Sequence, residues 1–278
     1  MSEIPQNEKV VRSRLLTSIL LVLLALVAIT AATVAWFSIA DKAKVKTMSL
    51  DIIGDLDLKM DLDAHSTIDQ YKKTLSFTDI AARIQQEKGF SMKEVPLDPV
   101  TTSDAKIFAF ENGSTASDTS GSYLEFTLHF MAEKDMLVHL TSADSSDGAD
   151  DGTAIVSQNT TLPQAMRISF TADGHTWIYD PGMTDTVSQA GDAKTFGLPA
   201  SSSMKLTENN AMFSLKEGVD KAVLVHVWLE GTDEACTDEL KEAEYAIRLR
   251  FTGEDTSTDK DDIYFDSRGL RKEQNRIE

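Results

Sequence analysis

The run YLEFTLHF, residues 123–130, places Leu124, Phe126, Leu128 and Phe130 at every second position, with Glu125, Thr127 and His129 between them. Successive side chains of a β-strand point to opposite faces, so this spacing describes a strand with one buried face and one wetter face. The same period recurs outward along the chain. It appears in DLDLKMDLD (residues 55–63), where Leu56, Leu58, Met60 and Leu62 alternate with Asp57, Lys59, Asp61 and Asp63. It returns in MLVHL (136–140), in AMRISF (165–170) and in EYAIRLRF (244–251). KAVLVHVWLEG (221–231) is apolar at both parities and reads as a central strand covered on both faces.

Between these runs lie ENGSTASDTSGS (111–122), SADSSDGADDGT (142–153) and DPGMTD (180–185), rich in turn-forming residues. Many short strands joined in this way predict a mainly β fold, an antiparallel sandwich or jelly roll. One helical insertion is expected at TDIAARIQQEKG (78–89), capped by Thr78 or Asp79 and stopped by Gly89.

The N-terminus has a different character. Residues 15–35, LLTSILLVLLALVAITAATVA, carry no charge over about the 20 residues that span a bilayer core. The stretch outlasts the roughly 7–15 residues of an ordinary signal-peptide core. Trp36 and Phe37 follow, as an interfacial aromatic belt requires. The organisation expected is a cytoplasmic segment 1–14, a transmembrane or signal segment 15–40 marked by Leu15, Leu24, Ala35 and Trp36, and an extracellular β-sandwich 41–278. Lys9, Arg12 and Arg14 before the span are matched by Lys42, Lys44 and Lys46 after it, so charge alone does not orient it. A long following domain is exported largely regardless of charge, which places the body outside. Small residues before Ala35 also permit cleavage there, and both outcomes stay open: an outward-facing membrane protein, or an extracellular one.

The 278-residue chain has a formal net charge of −18; the first 35 residues sum to +1, so the rest carries −19. Such a body repels phosphate backbones, which argues against nucleic-acid binding. With one cysteine, Cys236, no internal disulfide forms, and packing must hold the fold.

No HExxH, GxSxG or GxxxxGK[ST] motif occurs, so no catalytic residue is assigned and the chain reads as non-enzymatic. No cofactor is assigned either, except that Asp144, Asp147, Asp150 and Asp151 offer carboxylates on a glycine-containing loop of the kind calcium uses. Their spacing matches no EF-hand. His129 and His139, on successive strands, are the one hint of a transition-metal pair, and His226 reads as a core histidine between Leu224 and Trp228. Trp177 and Tyr179 in GHTWIYDPG (174–182) are the aromatics that a ligand-binding surface would present, unless their face of the strand belongs to the core.

Two features together carry a resemblance. The apolar segment ending ATVAWFS (32–38), followed by an acidic β-rich body, resembles the TasA/camelysin-like exported proteins of Firmicutes, whose signal segments are of the SipW-dependent type. YLEFTLHFMAEKDMLVHLT (123–141), AMRISFTADG (165–174) and VHVWLEGTDEACTDEL (225–240) running into AIRLRF (246–251) are similar to uncharacterised clostridial relatives. The resemblance implies a jelly-roll protein of the cell surface or biofilm matrix that assembles with copies of itself. Assembly would occur by donation of a strand from the segment Trp36 to about Leu62. The metalloprotease label that camelysin carries is not transferred, since this chain has no zinc-binding motif. Three functions follow in order: a matrix structural protein, a membrane-anchored module binding glycan or a partner protein, and an unrecognised hydrolase using His129 or His139.

Overall fold

The computed structural model describes residues 14, 17–25, 43–53, 57–95, 97–142, 152–184, 186–199, 206, 210–240, 243–256, 264–265 and 271–272. The chain divides into two units, residues 1–41 and 42–278. In the first, residues 17–25 form a helix, α1. Its apolar side chains are open, Leu24 at 65% exposure. Among the described residues no helix is long and apolar enough to cross a membrane. Leu15, Ala35 and Trp36 lie outside the described residues.

The second unit is mainly β. Its strands are β1 (Lys44–Ile52), β2 (Leu58–Asp61), β3 (Thr74–Leu75), β4 (Pro99–Val100), β5 (Leu124–Ala132), β6 (Met136–Leu140), β7 (Ala154–Ser157), β8 (Met166–Ala172) and β9 (His175–Thr184). There follow β10 (Val187–Ala190), β11 (Ala193–Leu198), β12 (Ala211–Leu215), β13 (Lys221–Glu230), β14 (Glu244–Asp255), β15 (Tyr264–Phe265) and β16 (Arg271–Lys272). Two helices interrupt them, α2 (Phe77–Lys88) and the single turn α3 (Leu162–Ala165).

One sheet runs β12-β6-β14-β1-β3, with β7 also on β14; the other runs β10-β11-β9-β8-β13-β5-β2, with β4 on β13. Both are mixed rather than antiparallel, because β1 pairs parallel with β14, β11 with β9 and β4 with β13. The alternating runs supply the shared core. Phe251 of the first sheet meets Phe130 and Phe170 of the second, with ring centroids 5.3 and 5.7 Å apart. β13 lies between β5 and β8, and its two apolar faces are both covered, as its composition predicts.

β6 and β7 continue one line along β14. Leu140 opposes Phe251 and Ala154 opposes Arg248. Thr153 N–H donates to the Thr141 carbonyl at 2.8 Å, joining the facing ends of the two strands.

The helix cap differs from expectation. Ser76 is the N-cap: its hydroxyl accepts from Asp79 N–H, and the Asp79 carboxylate accepts from Ser76 N–H at 2.9 Å. This reciprocal capping box satisfies two orphan donors at once, which neither Thr78 nor Asp79 as cap would do. Gly89 ends the helix in the left-handed region at φ 81°, and Ile80 and Ile84 bury the inward face.

Candidate functional site

The segment expected to donate a strand is divided between the two sheets. DLDLKMDLD contributes β2, which pairs with β5 at the edge of one sheet, whereas residues 44–52 form β1 in the interior of the other. Val45, Met48, Leu50 and Ile52 of β1 are buried. Such burial contributes about 1.5–3 kcal/mol per large side chain. Along one flank β1 is laddered to β14 over its whole length, from Lys44 opposite Glu244 to Ile52 opposite Phe251. Along the other it meets β3 at only two positions, Leu50 with Leu75 and Asp51 with Thr74. Ion pairs fasten its outer face, Lys46 to Glu244 at 3.1 Å and Asp51 to Arg250. A parallel neighbour cannot be joined by a tight hairpin. Among the described residues β1 is the first strand of the unit, bonded chiefly to the last long one, β14.

A second constellation lies on the outer face of the eight-stranded sheet, beneath residues 97–123. Phe108 and Tyr123 stack at 4.1 Å and cover His226, at 5.1 and 5.7 Å. Register sets His226 of β13 directly between Ser169 of β8 and Glu125 of β5. His226 Nε2 lies 2.9 Å from Glu125 Oε2, and Nδ1 lies 3.4 Å from Ser169 Oγ. Lys88, at the end of α2, reaches Glu125 Oε1 at 2.5 Å and Asp118 Oδ2 at 2.6 Å. Burial opposes the Lys88 charge, yet its bonds to Asp118 and Glu125 push it up to about 12. The His226 and Lys88 bonds hold the Glu125 carboxyl down to about 2.

Serine, histidine and glutamate in line have the order of a nucleophile, a base and its orienting acid. Ser169 is 0% exposed and roofed by sheet and loop, so no substrate reaches it in this arrangement. Its consequence is for stability. Because the Glu125 pKa is depressed on folding, the network's contribution is present above the ordinary value of 4.5 and is lost as pH falls toward about 2. Urea midpoints measured from pH 6 to pH 3 should fall more steeply for the native chain than for Glu125→Gln; equal slopes would refute this assignment.

His129 and His139 have separate surroundings. His129 Nδ1 sits 2.9 Å from Asp220 Oδ2, and Tyr71 donates to Asp220 at 2.7 Å. Burial and the Asp220 carboxylate push the Tyr71 hydroxyl up to about 12. His139 is buried in the other sheet, near Asn210 and Glu254. The two histidines are therefore separated by sheet membership and form no pair. Among the described residues no group of three or more His, Cys, Asp or Glu is placed to hold a metal ion. Asp144, Asp147, Asp150 and Asp151 lie outside the described residues. Cys236 is half-buried, and burial beside Asp233 and Glu230 pushes its thiol up to about 11, away from thiolate reactivity.

Tyr179 is not a surface aromatic. It is 5% exposed against Phe196, and burial raises its hydroxyl pKa. Trp177, two residues earlier on the same face, is half-buried against Phe213. The alternation in GHTWIYDPG thus marks a core face, with Ile178 turned to the smaller cluster beneath residues 97–123. Sequence reasoning missed Lys88, Asp118 and Glu125, which stand 30 and 37 residues apart and carry no spacing signal. No protein-family model, curated protein or solved structure matches this chain.

Proposed function

We propose that the chain is an exported, non-enzymatic structural protein of the cell surface or extracellular matrix, with a jelly-roll body that assembles by exchanging β1 between copies. The N-terminal segment 15–40 would enter the membrane lipid and either remain as an anchor facing outward or be cleaved near Ala35. The open apolar helix α1 supports that reading, since exposed Leu and Ile side chains want lipid or protein cover.

The observation that carries the assembly reading is the parallel seat of β1 against β14. β1 is the first strand of its unit and is held laterally, without a hairpin to either partner. If β1 of one copy leaves, it opens a slot lined by β14 and β3, which β1 of another copy fills with the same hydrogen bonds and the same four buried side chains. Such an exchange conserves contacts, which makes it a low-cost route to oligomers, and a one-way donation extends into a filament. The alternative of a glycan-binding module loses its best aromatics, because Trp177 and Tyr179 pack inward.

The register supplies a test. Ser49 and Arg248 are directly opposed across the β1–β14 ladder. Oxidising Ser49→Cys with Arg248→Cys, in a Cys236→Ser background, joins the two strands wherever β1 is seated. Covalent multimers that increase with protein concentration on a non-reducing gel are the expected result. Internally linked monomer at every concentration would overturn the proposal.

A further inference from the structure

At one edge of the eight-stranded sheet lies β10, which pairs on one side only, with β11. All four of its residues, Val187–Ala190, are exposed, Val187 at 45%. The register fixes which main-chain groups it leaves over. Val187 opposes Phe196 and Ala190 opposes Ala193, and on the same line Gly197 N–H donates to the Thr186 carbonyl at 2.9 Å. Antiparallel bonds alternate along a strand, so Ser188 and Ala190 turn their N–H and C=O groups toward β11, as Thr186 does. Val187 and Gln189 turn theirs away from the sheet. Among the described residues those four groups meet no partner. The Gln189 side chain is engaged separately, donating to the Gly191 carbonyl at 3.2 Å.

The opposite edge of the same sheet is guarded. β2 exchanges two main-chain bonds with Lys72, at 2.8 and 2.9 Å, and carries Lys59 and Asp61. Charge and partial cover of this kind keep a sheet edge from pairing with another chain. β10, with the sequence VSQA, has neither.

We infer that β10 is a self-association edge, pairing antiparallel with β10 of a second copy about a two-fold axis at Ser188. The outward groups select that register. With the axis at Ser188, Val187 of each copy faces Gln189 of the other, and every outward group finds a partner across the junction. A shift of one residue would set outward groups against inward ones and lose all of these bonds. On one face Val187 of each copy lies against the Gln189 stem of the other, which covers part of the exposed side chain. Charge points to the same partner. Each chain carries a net −18, so two copies repel at a distance, and a strip without charge lets them close the remaining gap. Such a contact uses one patch twice and closes at two copies. It joins two eight-stranded sheets edge to edge and involves neither β1 nor β14, so it holds or fails independently of strand exchange.

Cross-linking tests it. Residues opposed in a non-hydrogen-bonded pair have Cα atoms about 4.5 Å apart, within disulfide reach. The full chain with Ser188→Cys in a Cys236→Ser background, oxidised over a range of concentrations, should give a covalent dimer that increases with concentration. Lys106→Cys, exposed in the segment 97–123 that roofs the sheet, should give about ten-fold less dimer in the same background. Gln189→Pro removes an outward N–H while sparing the bonds to β11, and Val187→Asp adds like charge on both sides of the junction. Each should reduce the Ser188→Cys dimer about ten-fold and leave the urea midpoint unchanged; should the proline lower that midpoint, the aspartate variant decides. Ser188→Cys linking no better than Lys106→Cys would leave the edge to some other extended chain and overturn the inference. A dimer that keeps its full yield in Val187→Asp would overturn it equally.

Discussion

Phe251→Ala should lower stability by about 3–5 kcal/mol, the usual range for deleting a fully buried aromatic ring. Phe251 is 0% exposed at the one position where β14 delivers an aromatic ring to both Phe130 and Phe170. Its backbone carbonyl also accepts from Ile53 N–H at 2.9 Å, just past the end of β1. The ring is therefore where the two sheets and the seat of the first strand meet. Deleting it leaves a cavity bounded by two rigid sheets that cannot collapse together, which places the loss high in the range. The check is a urea titration: a reduced midpoint with an unchanged slope is expected, while Val187→Ser on the exposed edge strand should stay within about 0.5 kcal/mol. A loss under about 1 kcal/mol for Phe251→Ala would mean that the sheets do not share this core.

Arg167→Ala should be of similar size, about 3–5 kcal/mol at neutral pH, by a different route. The Arg167 guanidinium is mostly buried and bonds the Gln164 and Met166 carbonyls, with Asp180 at 3.1 Å and Asp233 at 2.5 Å. Burial already raises the Asp180 carboxyl above its ordinary range, and Arg167 holds it down. Without the arginine, Asp180 is left as a buried, uncompensated charge. The sign with pH follows. A carboxyl whose folded pKa is raised binds protons more readily folded than unfolded, so acid stabilises the folded state of the variant relative to neutral conditions. The gap between native and Arg167→Ala should narrow as pH falls through the carboxylate range. A constant gap would assign the loss to packing of the arginine stem rather than to the stranded charge.

The strands that alternate were legible because a half-buried sheet imposes its period directly on composition. Leu124, Phe126, Leu128 and Phe130 all point into the core, and so do Tyr245, Ile247, Leu249 and Phe251. Pairing partners were not legible, since period records which face is buried and not which strand lies alongside. Hence three parallel pairs make mixed sheets of what the turn-rich connections suggested would be antiparallel ones. Trp177 and Tyr179 show the same limit: alternation grouped them on one face, but only the fold says which face is inward. The helix cap was present as Ser76 with Asp79 three residues on, a pattern obscured by the nearer Thr78. For the Lys88 cluster there was no signal to read, because its members meet only after α2, the roofing segment and β5 have been placed.

β6 and β7 meet end to end along β14. Thr141 and Thr153 are hydrogen-bonded where the two strands face each other. Doubling the length of a loop whose ends are already pinned adds only about 0.6 kcal/mol of closure entropy. Residues inserted between Thr141 and Thr153 should therefore cost little stability and leave the pairing of β6 and β7 with β14 in place.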